Sequence, residues 1–82
     1  MMVLYATDVS LYSAKVAIAL EHKGAAHERR APPGGTYRSA EYRAIVPAGT
    51  LPAIDDGGFV LSESDAIIEY VEETRRGPPL LP

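Results

Sequence analysis

The stretch Val46-Pro47-Ala48-Gly49-Thr50-Leu51-Pro52-Ala53-Ile54-Asp55-Asp56-Gly57-Gly58-Phe59-Val60-Leu61-Ser62-Glu63-Ser64-Asp65 decides the fold. Leu51 to Ile54 and Gly58 to Leu61 are short runs of strand character, and Asp55-Asp56-Gly57 between them is a hairpin signal. Ser62-Glu63-Ser64-Asp65 then opens a helix that carries Ala66, Ile67, Ile68, Tyr70 and Val71. Gly77-Pro78-Pro79 ends it, since proline cannot continue a helix.

Working outward, Val46-Pro47-Ala48-Gly49-Thr50 breaks a short helix over Ala40 to Ile45, which Ser39 caps and Glu41 supports in its first turn. Pro32-Pro33-Gly34-Gly35 forces a loop before it. Ala26 to Ala31 is polar enough to be an edge strand, and Val3-Leu4-Tyr5-Ala6 reads as a buried one. From Ser10 the apolar period lengthens. Leu11, Val16, Ile18, Ala19 and Leu20 are expected on the buried side of a helix, with Lys15, Glu21, His22 and Lys23 outside it and Gly24 as its stop. The order is β-α-β-α-β-β-α. A right-handed parallel βαβ unit beside an antiparallel pair gives an α/β, thioredoxin-like layout: a four-stranded mixed sheet with helices on both faces.

Composition narrows the chemistry. The 82 residues fit one small domain, and 46% hydrophobic content is ordinary for a folded chain. The net charge of −3, from 8 basic and 11 acidic residues, gives no basic footprint for nucleic acid and no polybasic membrane patch. There are no cysteines, which removes disulfides, cysteine zinc sites and any thiol redox cycle of the chain's own, including a glutaredoxin-like one. His22 and His27 beside a glycine do not make a metal site. Met1 to Asp8 lacks a basic start and a long apolar run, so neither a signal peptide nor a membrane span is read there. A soluble, cytoplasmic protein is the expectation.

Three places could carry chemistry. Ser10 stands at the start of the first helix, where its hydroxyl serves as a cap or steadies a bound thiolate beside the positive helix end. Ser13, one turn on, is a reserve. A proline at Leu51-Pro52 either starts an edge strand or, if cis, turns the main chain of Leu51 outward to pair with an extended peptide. Ser62-Glu63-Ser64-Asp65 is a capping arrangement led by Ser62, or a cradle in which Ser64 takes a carboxylate and Glu63 an ammonium.

These residues resemble a known family. Leu4-Tyr5 and Ser10 through Leu20, then Val46 through Ile54, then Leu61 through Tyr70, are similar to the N-terminal domain of glutathione S-transferases in the same order. The resemblance implies glutathione as co-substrate and a transferase-type role. Leu51 would bond the cysteinyl backbone with Pro52 cis, and Glu63 and Ser64 would hold the γ-glutamyl head. Ser10 would be the catalytic residue, stabilising the thiolate for attack on a small electrophile. No metal is implied.

The pattern departs from the family in three ways. Leu11 stands where many relatives have proline. Tyr5 sits one residue out of register with the tyrosine that some classes use, and a one-residue slip flips a strand side chain to the other face, so Tyr5 is read as core. Thr50 replaces a basic residue, which leaves the glycyl carboxylate without an owner; Arg38 and Arg43 are the cations at hand, set against an ordinary solvated-surface reading. Residues 1–76 are expected to form the glutathione-binding domain and 77–82 a linker toward a helical domain. Without that domain, exposed apolar surface on the first and third helices implies a homodimer or another partner. A non-catalytic docking module on the same fold is the alternative.

Overall fold

Alternation along the first strand sets the two faces of the molecule. In the computed structural model, which describes residues 2–7 and 10–77, β1 (Met2–Tyr5) buries Met2 and Leu4 in one cluster and Tyr5 in another. Successive strand side chains point to opposite faces, so one strand feeds two cores. The chain continues through α1 (Leu11–Lys23), β2 (His27–Arg30), a single 3₁₀ turn (Pro33–Gly35), α2 (Ala40–Ile45), β3 (Ala53–Asp56), β4 (Phe59–Ser62) and α3 (Ser64–Thr74). The strands lie in the order β2-β1-β3-β4, with β1 and β2 parallel and the other neighbours antiparallel.

One core lies between the sheet and the pair α1 and α3. It joins Leu4 and Ile54 to Val16, Leu20, Ile67 and Val71, all essentially inaccessible. Burying a side chain such as Ile67 fully is worth about 1.5–3 kcal/mol. The other core joins Tyr5 and Ala53 to Tyr42 and Val46, with Ile45 and Leu51 partly buried against it. Helices therefore cover both faces of a mixed four-stranded sheet, the thioredoxin-like arrangement.

Three local expectations are corrected. The buried side of α1 is Ser13, Val16, Leu20 and Lys23, while Leu11 is 86% and Ile18 is 67% exposed. This helix has apolar residues on both sides, and the side meeting the sheet and α3 is the one containing Val16 and Leu20. Lys23 joins that side because its ammonium reaches Glu72 of α3 at 2.5 Å, which leaves its aliphatic stem free to pack. In the hairpin, both strands sit later than their apolar residues suggest. Asp55 and Asp56 are in β3, and Gly57-Gly58 forms the turn with φ of 63° and 100°. Two positive φ values in succession are easy for glycine alone. Leu51 and Pro52 thus precede the strand rather than begin it.

The third correction concerns α3. Ser62 ends β4 and is not its cap; the N-cap is Glu63, with no side-chain capping bond. At the far end, Asp56 accepts from the Tyr70 hydroxyl at 2.6 Å and from the Arg75 guanidinium at 2.8 Å. These bonds tie the last turn of α3 to the end of β3. The expected linker falls mostly on residues 78–82, outside the described residues.

Candidate functional site

The N-terminus of α1 is held by two serines with different duties. Ser10 has extended backbone geometry, and its Oγ accepts from the N–H of Ser13 at 3.1 Å. Ser13 is wholly buried, and its Oγ accepts from the N–H of Thr7 at 3.4 Å, fastening the end of β1 to the helix. Ser13 is consumed by structure. Ser10 is only half-buried, and its hydroxyl acts as acceptor in the cap, which leaves the O–H to donate elsewhere.

The segment before β3 is held from α2. The Leu51–Pro52 peptide bond is cis. Sheet pairing begins at Ala53, opposite Tyr5 and Ser62, so the main chain of Leu51 lies outside the ladder. The carbonyl of Thr50 accepts from the Tyr42 hydroxyl at 2.5 Å. Tyr42 is inaccessible to solvent, and its ring stands edge-on to Tyr5 with centroids 5.5 Å apart. Burial pushes the Tyr42 hydroxyl up to about 12, with Tyr5 adding to the effect.

Glu63 is the strained residue of the site. Its φ of 78° is in the left-handed region, costing roughly 1–3 kcal/mol for a residue other than glycine. Its carbonyl accepts from the N–H of Ile67 at 2.9 Å, so the helix begins at Ser64. The first N–H groups of a helix have no acceptor within it, and no side chain caps these. They are open to an anion, with the helix dipole in support. The neighbouring Asp65 pairs with Lys15 at 2.7 Å.

Two concavities adjoin at shared lining residues. The first, about 410 Å³, is lined by Thr7, Ser10, Tyr37, Thr50 and Leu51. The second, about 440 Å³, is lined by Tyr12, Thr50, Leu51, Pro52, Glu63, Ser64 and Asp65. Thr50 and Leu51 are the joint between them. All five residues singled out from the sequence border this adjoining pair, a two-limbed groove with Ser10 in one limb and Glu63 and Ser64 in the other. Tyr37, Tyr12 and Thr7 also line it and were missed. Tyr37 lies in a loop without periodicity, and only its aromatic character in a polar segment could have flagged it. Among the described residues no cluster of three or more potential metal ligands occurs. No described helix is long and apolar enough to cross a membrane.

A thioredoxin-like sheet with a small-ligand groove between a proline turn and two helix N-termini defines the class. The family "Glutathione S-transferase, N-terminal domain" matches residues 4–79, and the chain belongs to that family. It is 36% identical over 84 residues to the maleylacetoacetate isomerase of Dictyostelium discoideum, covering 98% of this chain and 38% of that protein. Its fold superposes with a TM-score of 0.87 on the maleylacetoacetate isomerase of Methylobacterium extorquens AM1, solved with bound malonate and GSH. That pair is 40% identical, covering 98% of this chain and 39% of the other. A glutathione transferase homolog from Sulfitobacter, solved with bound glutathione, gives a TM-score of 0.80 at 29% identity, covering 92% of this chain and 37% of that one. The chain thus spans about two fifths of the length of these relatives.

Proposed function

We propose that this chain is the glutathione-binding domain of a transferase-type protein, with Ser10 stabilising the glutathione thiolate for attack on an electrophile. The observation that carries the reading is the shared wall at Thr50 and Leu51, which joins a hydroxyl-bearing limb to one with an open helix end. An amino-acid head group needs an anion site beside a cation site. The free N–H groups at Ser64 supply the first and the Glu63 carboxylate the second. Leu51, outside the ladder, offers main-chain groups to the middle of the peptide in the manner of an added strand. The cysteinyl side chain then enters the limb where Ser10 can donate its O–H. A hydrogen bond donated to an anion favours the charged form, so more thiolate is present near neutral pH.

Glutathione-bound relatives of the same fold support the choice of ligand. The electrophile's seat, the boundary of the domain at residue 76 and a cytoplasmic setting belong to this reading as well. Exposed Leu11, Tyr12 and Ile18 on α1 support a covering by a helical domain or a second copy. The test is a calorimetric titration with glutathione. Saturable binding that Glu63→Ala weakens at least tenfold is expected; no saturation at millimolar glutathione would leave the docking-module alternative standing.

A further inference from the structure

The closed end of the β3–β4 hairpin joins a restrained carboxylate to an unrestrained nitrogen. Asp56 is the one aspartate of the chain that precedes a glycine, and the sequence has no asparagine. Gly57 has a φ of 63°, and nothing lies within 4 Å of where its Cβ would stand. Among the described residues its N–H has no hydrogen-bond acceptor, whereas that of Gly58 donates to Asp55 Oδ1 at 2.9 Å. The Asp56 side chain is bound to α3 and its end instead. Its Oδ2 accepts from the Tyr70 hydroxyl at 2.6 Å and from the Arg75 guanidinium at 2.8 Å. The Tyr70 ring is itself stacked on Phe59, with centroids 5.1 Å apart, which fixes the direction of its hydroxyl. The carboxylate is 19% exposed, although the glycines beside it stand open to solvent.

We infer that the Asp56–Gly57 bond is a site of spontaneous aspartate isomerisation, which Tyr70 and Arg75 hold shut in the folded chain. In the reaction the Gly57 nitrogen attacks the side-chain carboxyl carbon of Asp56. A carbon–nitrogen bond forms, and the carboxyl hydroxyl leaves with the amide proton as one water, giving a cyclic succinimide. Water then opens the ring. Opening at the main-chain carbonyl leaves the chain running through the former side chain, an isoaspartate of unchanged composition, with nothing oxidised or reduced. Glycine favours the attack because no side chain hinders its nitrogen. The two donors oppose it twice. They hold the carboxylate on α3, and they keep the carboxyl below its ordinary range, Tyr70 more than Arg75, so the neutral form that can lose a hydroxyl is scarce. The bond lies at the closed end of the hairpin that pairs Ala53 with Ser62. An added methylene there disturbs the register that sets Leu51 and Pro52 beside Glu63 and Ser64.

The test is prolonged incubation at neutral pH, with isoaspartate at residue 56 measured by peptide mapping and electron-transfer fragmentation. The unmodified chain is expected to isomerise far more slowly when folded than in denaturing urea. Tyr70→Phe with Arg75→Gln is expected to raise the folded rate about tenfold, since each unit of pKa recovered multiplies the neutral fraction by ten. In urea the two chains should react at one rate. Ile67→Val loosens the core under the same helix and leaves both donors in place, so its folded rate should match that of the unmodified chain. Circular dichroism verifies the fold; if the double variant loses it, the single variants carry the comparison, each falling between the two extremes. No isoaspartate even in urea, equal folded and unfolded rates in the unmodified chain, no acceleration without the donors, or the same acceleration in Ile67→Val each overturns the inference.

Discussion

The hydroxyl of Tyr42, sealed in the core beneath α2, donates to the carbonyl of Thr50 at 2.5 Å. It is a hydrogen bond from one core to the floor of the groove, since Thr50 belongs to both limbs. Tyr42→Phe keeps the ring against Tyr5 and removes the donor. Leaving a carbonyl without its buried partner costs about 1–2 kcal/mol. Urea denaturation should show that loss with an unchanged slope, and glutathione affinity should fall as well. Unchanged affinity would mean that Tyr42 serves stability alone.

The same hydroxyl gives an alkaline signature. Its folded value, about 12, stands above the ordinary 10.0 because burial penalises the phenolate. The unfolded state therefore releases its proton first. The stability that depends on the neutral hydroxyl is complete below pH 10 and is lost as pH rises toward 12, at up to about 1.4 kcal/mol per pH unit. Denaturation midpoints measured across that window should fall less steeply in Tyr42→Phe than in the unmodified chain.

Lys23 and Glu72 form the tie between α1 and α3. The lysine side chain is 3% exposed and the carboxylate 23%, so water screens this pair less than the surface ones. Lys23→Ala removes the charge and the packed stem together and should cost about 2–4 kcal/mol. Lys23→Met keeps the stem and should recover part of it. Thermal melts of the two variants separate packing from charge; equal losses would show that the stem contributes nothing.

The acid limb of stability should trace to Asp56. The Tyr70 hydroxyl, and after it the Arg75 guanidinium, hold its carboxyl below the ordinary 3.8. Its contribution is therefore present above about pH 4 and is lost as pH falls below it. Tyr70→Phe should flatten that decline and leave stability less dependent on acid. A decline identical to that of the unmodified chain would place the sensitive carboxylate elsewhere.

The order of elements and the groove-bordering residues were legible because turns and caps write themselves locally. Pro52, Gly57, Gly24 and Ser10 each impose geometry on their immediate neighbours. The buried side of α1 was not legible, because Leu11 and Ile18 are as apolar as Val16 and Leu20. Only the position of α3 across the sheet decides between the two sides. Lys23 was misread for a related reason, since its burial depends on Glu72 on another helix. Ser62 carried a capping pattern, yet extended pairing with Ala53 claimed it for β4. Tyr37 was obscure because its relation to the groove runs through a loop of no fixed period.

Ser10 has two roles that a single alanine substitution would confound. Its hydroxyl caps α1 through Ser13 and, on the reading above, donates to the glutathione sulfur. Ser10→Ala loses both, with the cap worth about 1 kcal/mol; Ser10→Gly also lacks the hydroxyl, but glycine at this position costs only a few tenths. The two variants should therefore differ in stability and agree in chemistry. Ultraviolet absorbance of the bound thiolate, followed against pH, should show the thiol of bound glutathione titrating about one unit higher in both, as expected for one lost hydrogen bond to an anion. If the titration moves in the alanine variant alone, the change follows the disturbed helix end and the hydroxyl has no part in it. If it moves in neither, the thiolate is stabilised by the helix N–H groups without Ser10.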